Sequence, residues 1–283
     1  MVVIGGCIFV IVSVLTGFSM AGGHMHSLFH PSEVVTIGGA ALGGLIIMSP
    51  TKVLKDLAKG MVQLVKGSPF NKAMYMDLFR VLNGLGRIIR RDGLLALESH
   101  ISTPKDSAVF QAAPKILGNH HVSEFICSSL ALIVDGRAEA AQLHGLMEEE
   151  IKVLEREHHA ASNALAKVAD ALPGFGIVAA VLGIVVTMGE IGGPVEEIGH
   201  KVGAALVGTF LGILLSYGFF APMAARMEVL GELELVFFRV IAGAVVSVSE
   251  GASPNDVISR ACRSIGTECR PTQAELAAIY SEK

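Results

Sequence analysis

The stretch Val34-Val-Thr-Ile-Gly-Gly-Ala-Ala-Leu-Gly-Gly-Leu-Ile-Ile-Met48, then Ser49-Pro50, then Thr51-Lys-Val-Leu-Lys-Asp-Leu-Ala-Lys-Gly-Met-Val-Gln-Leu-Val-Lys66, decides how the chain is read. Its first part carries no charge and its last part carries four lysines. The contrast continues in both directions. The first 51 residues contain no Lys or Arg, whereas 15 of the chain's 22 lie between Lys52 and Lys167. Positive charge stays on the cytoplasmic side of a bilayer. The basic block is therefore expected in the cytoplasm, with an apolar hairpin dipping outward on either side of it.

Composition supports this. A mean hydropathy of +0.58 with 52% hydrophobic residues is too apolar for an ordinary soluble domain of 283 residues. The 32 glycines suit a membrane bundle. A net charge of −4 argues against nucleic acid as a partner. Cys7, Cys127, Cys262 and Cys269 have no metal-ligand spacing and are expected as reduced thiols. The N-terminal apolar run lacks a basic flank and is long enough to span, so a retained helix is expected rather than a signal peptide.

The expected fold is an all-α membrane protein with four transmembrane helices, near residues 2–20, 34–48, 172–191 and 202–221. Residues 1–50 hold the first two spans and 51–170 a helical cytoplasmic domain. Residues 171–222 hold the last two spans and 223–283 a helical cytoplasmic tail. Both termini then lie inside, in a multi-pass membrane protein. Residues 21–33 read as an outer loop with three histidines, and the second outer loop carries Glu190, Glu196 and Glu197 against Lys201.

Residues 52–66 place Leu54, Leu57, Met61, Leu64 and Val65 at helical spacing with the lysines mostly elsewhere, which suits either a helix lying on membrane lipid or one packed on protein. Breaks are expected near Gly93, Thr103-Pro104 and Pro114, and a helix starting with Ser253 as cap and Pro254 in its first turn.

No carboxylate, lysine or histidine falls near the centre of a predicted span, so any ion-carrying group is expected from another chain. Ala204, Gly208, Gly212 and Ser216 form a small-residue stripe on the fourth span, which lets a helix approach closely, whether a partner's or this chain's own. Thr209 is the most polar residue near that span's middle. Its hydroxyl faces either an ion path or the backbone carbonyl one turn earlier. Pro173 and Pro222 each remove a backbone donor at the inner ends of the paired spans and are expected to bend or break the helix.

At these residues the chain resembles the MotA family, the A subunit of the bacterial flagellar stator. Ala205-Leu-Val-Gly-Thr-Phe-Leu-Gly-Ile-Leu214 with Pro222 is similar to the family's fourth-span signature. Lys72-Ala-Met-Tyr-Met-Asp-Leu78, Met147-Glu-Glu-Glu-Ile151 and Leu172-Pro-Gly-Phe-Gly-Ile-Val-Ala-Ala180 resemble its other motifs, in order. The resemblance implies an ion channel whose flow drives ring rotation and torque, built as a homo-oligomeric ring of five A subunits around two MotB-type subunits. Those subunits supply the membrane aspartate. It also implies roles for Thr209 and Ala180 in the ion pathway, for Pro173 and Pro222 in coupling, and for Arg90 and Glu98 in binding the rotor protein FliG within residues 87–98. Sodium-driven members carry threonine where Ala180 stands, so H+ rather than Na+ is the expected ion.

No nucleophile elbow or phosphate loop appears, so no enzyme active site and no cofactor are expected. His24, His26 and His30 lack a fourth metal ligand, and no metal is expected. The main rival is an energiser of the ExbB/TolQ type, a group with three spans and an outside N-terminus. A membrane scaffold without ion flow is a second.

Overall fold

The computed structural model describes residues 2–137, 139–189, 192 and 194–281. Among the described residues every regular element is helical. In chain order these are α1 (Val2–Met20), α2 (Pro31–Met48), α3 (Thr51–Lys66), α4 (Lys72–Asp92), α5 (Glu98–Ser102), α6 (Ala108–Gln111), α7 (Pro114–Leu117), α8 (His120–Val134), α9 (Ala140–Met188), α10 (Val195–Leu215), α11 (Ala221–Ser249), α12 (Pro254–Arg263) and α13 (Gln273–Ser281). The chain divides into two units, residues 1–67 with 157–231, and residues 68–156 with 232–283.

The first unit holds the apolar helices. Among the described residues three segments, Val2–Met20, Met25–Met48 and Ala140–Met188, are long and apolar enough to cross a membrane. Ile37 and Ala41 of α2 pack on Val168, Leu172 and Ala179 of α9. The buried edge of α3, Leu57 and Leu64, meets Ala161 and Leu165 of α9 and Ala224, Met227 and Leu230 of α11. Lys52 also pairs with Glu157. α3 thus has a protein-packed face, while Val62 and Val65 stay exposed.

Two expectations change here, those for Pro173 and for the second outer loop, while that for Pro222 takes a specific form. Pro173 does not break its helix, because α9 runs through it for 49 residues. Pro222 lies just inside α11, and the chain enters that helix through a π-helical turn at Ser216–Phe220. The physical reason is local. Pro222 cannot donate to the carbonyl four residues back, and its ring crowds that carbonyl, so the turn widens. Glu196, Glu197 and Lys201, expected in a loop, belong to α10, where the two acids complement the N-terminal dipole. Glu190 and the predicted end of the third span at Ile191 lie outside the described residues.

The second unit is a helical domain with an aromatic core. Phe79, Phe110, Phe125, Phe237 and Phe238 are fully buried. Tyr75 lies 4.9 Å from Phe237 between ring centroids, and Phe125 meets Phe238 edge-on at 5.0 Å. α4 starts where Asn71 accepts from the backbone N–H groups of Ala73 and Met74 and stops at Gly93, whose φ of +86° favours glycine. Buried Asp77 accepts from Arg80 at 2.9 Å and from the Lys115 N–H at 3.1 Å, tying α4 to the start of α7. α13 opens with a capping box, Glu275 accepting from the Thr272 N–H and the Thr272 hydroxyl accepting from the Glu275 N–H. Its end is held on α4 by Asn83, which donates to the Ile279 carbonyl at 2.8 Å, and by Arg87, which donates to that of Tyr280.

Candidate functional site

α9 and α10 approach closely because glycines line both. A Cβ at Gly176 would lie 2.8 Å from the Gly208 carbonyl oxygen and 3.3 Å from Thr209 Cα. One at Gly212 would lie 2.6 Å from the Leu172 carbonyl oxygen and 2.9 Å from Gly176 Cα, and one at Gly183 would lie 2.9 Å from Ala205 Cβ. The order of these contacts makes the helices antiparallel. The small-residue stripe of the fourth span is therefore occupied by this chain's own α9, and its buried members are Ala205, Gly208, Gly212 and Ser216, with Ala205 in place of the expected Ala204.

Thr209 stands half-buried beside this seam. Thr187 donates to the Gly183 carbonyl at 2.8 Å and Thr36 to that of Ser32 at 2.9 Å, the usual fate of threonine in a helix. No such bond is made by Thr209 among the described residues, so its hydroxyl keeps its donor and acceptor capacity. Ala180 is buried next to Ala179, which lies in contact range of Gly208. Pro173 follows Leu172, whose carbonyl faces Gly212. Pro222 is exposed. The structure thus brings Thr209, Ala180 and Pro173 to one helix pair and leaves Pro222 at the far end of the π turn.

One ionisable group belongs to a helix where the sequence suggested a loop. Glu33 was assigned to the outer loop, but α2 begins at Pro31 and places Glu33 in its first turn. The residue is 7% exposed. Its Oε2 lies 2.5 Å from where a Cβ of Gly208 would be, on the residue before Thr209 and past the midpoint of α10. Among the described residues buried Oε2 has no hydrogen-bond partner, and neither has His30 Nδ1. The signal was present in the sequence: His30-Pro31 reads as a cap followed by proline at the first helical position.

In the second unit Arg90 and Glu98 are both exposed, in the last turn of α4 and at the first residue of α5, on either side of the Gly93 turn. Arg80, Arg87, Arg90 and Arg91 line a cleft of about 810 Å³ with Asn83, Asn255 and other residues. Within it Arg87 binds the Tyr280 carbonyl and Arg91 pairs with Asp92 at 2.7 Å. Arg90 makes no hydrogen bond or ion pair among the described residues.

Comparison with known proteins adds kinship to this geometry. Residues 4–93 match the family model "Motility protein A N-terminal", and residues 118–236 match "MotA/TolQ/ExbB proton channel family". The chain is 36% identical to motility protein A of Salmonella typhimurium over 276 residues, covering 98% of this chain and 94% of that protein. It is 36% identical to the chemotaxis protein LafT of Vibrio parahaemolyticus over 242 residues, 86% of this chain and 85% of that one. The fold matches the Campylobacter jejuni MotAB structure with a TM-score of 0.79 at 24% identity, over 96% of this chain and 98% of that chain. For the flagellar MotAB stator complex of Bacillus subtilis the TM-score is 0.73 at 23% identity, over 95% and 98%.

Proposed function

The chain belongs to the motility protein A family, and from that premise we propose that it is the ring-forming subunit of a flagellar stator, completed by a MotB-type partner. The observation that carries the reading to the site is Thr209, an uncommitted hydroxyl beside a glycine-lined helix pair in the second half of α10. α10 supplies the fourth membrane crossing, both termini face the cytoplasm, and five copies surround two partner helices, each bringing an aspartate. H+ is the ion, since Ala180 offers no oxygen to Na+. Each charge moved inward releases about 2.3 kcal/mol per 100 mV. Neutralising the partner's acid changes its contacts with Thr209, and in a symmetric ring that biases one position over the next. Pro173 and Pro222 flank the helix segments that pass this motion on.

Arg90 and Glu98 meet opposite charges on the rotor protein FliG. Exposed pairs are worth roughly 0–1 kcal/mol each, which suits a surface that engages and releases repeatedly. The ExbB/TolQ-type reading is disfavoured by the motility-specific match over residues 4–93. The test is complementation of a strain that lacks stators but has intact flagella, using wild type, Arg90→Glu and Thr209→Val. Stators at the motor are counted through a fluorophore on the partner. Wild type restores swimming, Arg90→Glu weakens recruitment, and Thr209→Val assembles without normal rotation. Wild-type protein that assembles with the partner yet restores no rotation would end the stator reading.

A further inference from the structure

We propose that the outward face of α3 binds anionic phospholipid at the membrane surface, its valines meeting the upper acyl chains and its lysines the phosphates. The ion path and the rotor contact play no part in this.

Position comes first. α2 ends at Met48 and α3 begins at Thr51, so only Ser49 and Pro50 separate a membrane-crossing segment from this helix. Pro50 has no N–H with which to extend α2. Ile46, Ile47 and Met48, the last residues of α2, are 64%, 88% and 42% exposed, so apolar surface reaches the junction without protein cover. α3 also packs on α1, another segment able to cross a membrane. Its four lysines keep α3 itself out of the hydrocarbon. The helix therefore stands where the spans meet the headgroups.

The apolar arc of α3 is wider than the protein covers. Buried Leu57, Gly60 and Leu64 set the inward face, against Ala161 and Leu165 of α9 and Met227 of α11. At about 100° per residue, half-buried Met61 and Leu54 come next around the helix, and exposed Val65, Ala58 and Val62 follow. A helix packed only on protein needs apolar side chains only where that protein touches it. Val62 and Val65 lie beyond that limit, which marks a helix with a second apolar neighbour.

The lysines then give that neighbour its charge. Lys55, Lys66, Lys59 and Lys52 occupy the next arc, bordering the valine edge. Lys52 bonds to Glu157, and Lys59 lies 3.6 Å from Asp56. Lys55 and Lys66 make no hydrogen bond or ion pair among the described residues, so two positive charges stay uncompensated beside exposed apolar side chains. They are also among the first cations of the chain, whose opening 51 residues hold no Lys or Arg. That places them on the side where anionic lipid attracts basic segments. A lysine stem lies along apolar surface while its ammonium reaches a phosphate. A phospholipid with a net negative headgroup matches both halves of this face, whereas a soluble anion would meet the lysines alone.

The chain contains no tryptophan, so Val62→Trp sets a reporter on the face. The full-length variant, co-expressed with its partner, is reconstituted in bilayers that carry brominated phosphatidylglycerol or brominated phosphatidylcholine. The wild-type complex supplies the partner's background emission. Brominated chains quench only an indole that they touch. Both lipids should quench, with the association constant at the reporter favouring phosphatidylglycerol by about tenfold and the advantage fading at high salt. Adding Lys55→Gln and Lys66→Gln should lower that preference at least about fivefold, while Lys55→Arg and Lys66→Arg keep it. Quenching by neither lipid shows that water or protein, such as a second copy of this chain, covers the face, and overturns the proposal. Equal association of the two lipids overturns it too, as does a preference that survives the glutamine pair. The salt series needs no change to the lysines, so a preference indifferent to salt overturns the proposal even where the glutamine pair fails to assemble.

Discussion

Gly212→Ala tests the seam between α9 and α10. Its new methyl would lie 2.6 Å from the Leu172 carbonyl oxygen, 2.9 Å from Gly176 Cα and 3.1 Å from Gly176 N. Ordinary contact begins near 3.4 Å, so the helices must separate locally by about 0.8 Å. A gap of that size forfeits a quarter to a half of the dispersion energy of each contact it opens. Overpacking typically costs about 1–3 kcal/mol, and contact with backbone on both sides of the methyl puts this site at the upper end. Alanine returns about 1 kcal/mol through helix propensity, leaving a net loss of about 2 kcal/mol. The matched control is Gly145→Ala in α9, where nothing lies within 4 Å of the added carbon and only the propensity gain remains. Thermal unfolding of detergent-solubilised protein, co-expressed with its partner, should show Gly212→Ala lower by roughly 4–8 °C and Gly145→Ala unchanged or slightly higher. Equal midpoints for the two variants would refute a backbone-to-backbone seam.

Asp77→Ala removes the carboxylate that Arg80 bonds at 2.9 Å and leaves the Lys115 N–H without that acceptor, so the second unit should lose about 2–3 kcal/mol in denaturant unfolding. Lys72 beside Glu275, with the Thr272 N–H and hydroxyl, holds the Glu275 carboxyl down at about 2, well below its ordinary range. Because the folded value is depressed, its contribution is complete above the unfolded value near 4.5 and fades as pH falls from there towards 2. Amide exchange should show α13 better protected than in Glu275→Gln at pH 6, with the two converging near pH 2. Burial pushes the Cys127 thiol up to about 11. At pH 8 iodoacetamide should label it at least about tenfold more slowly in folded than in unfolded protein.

Much of this fold was legible because single residues carry local physics. Ser253-Pro254 marked the start of α12, and the Ser253 hydroxyl accepts from the Asp256 N–H at 3.2 Å. Gly93 marked the end of α4 through the positive φ it adopts. The candidate site was legible only in part. Thr209 stood out by polarity, but that its hydroxyl declines the backbone bond taken by Thr187 depends on the arrangement around it. Glu33 was missed because the start of α2 was set by the first apolar run instead of by Pro31, and its depth against α10 is a tertiary fact. Pro173 misled for a related reason. Its local penalty of about 3 kcal/mol predicts a break, yet packing against α10 keeps α9 continuous.

The seam also constrains how this subunit can change over generations. At Gly60 an added methyl would meet Met227 Sδ at 2.5 Å, and at Gly84 it would meet Val109 Cγ1 at 2.8 Å. Both obstacles are side chains, so trimming Met227 or Val109 could act as a second-site suppressor and the paired positions can drift together. Gly212 has no such escape. Its obstacles are a carbonyl and the backbone of another glycine, which no substitution can make smaller. A suppressor screen started from Gly60→Ala or Gly84→Ala should therefore return partners at the facing residue. One started from Gly212→Ala should return only true revertants or changes that reposition a whole helix.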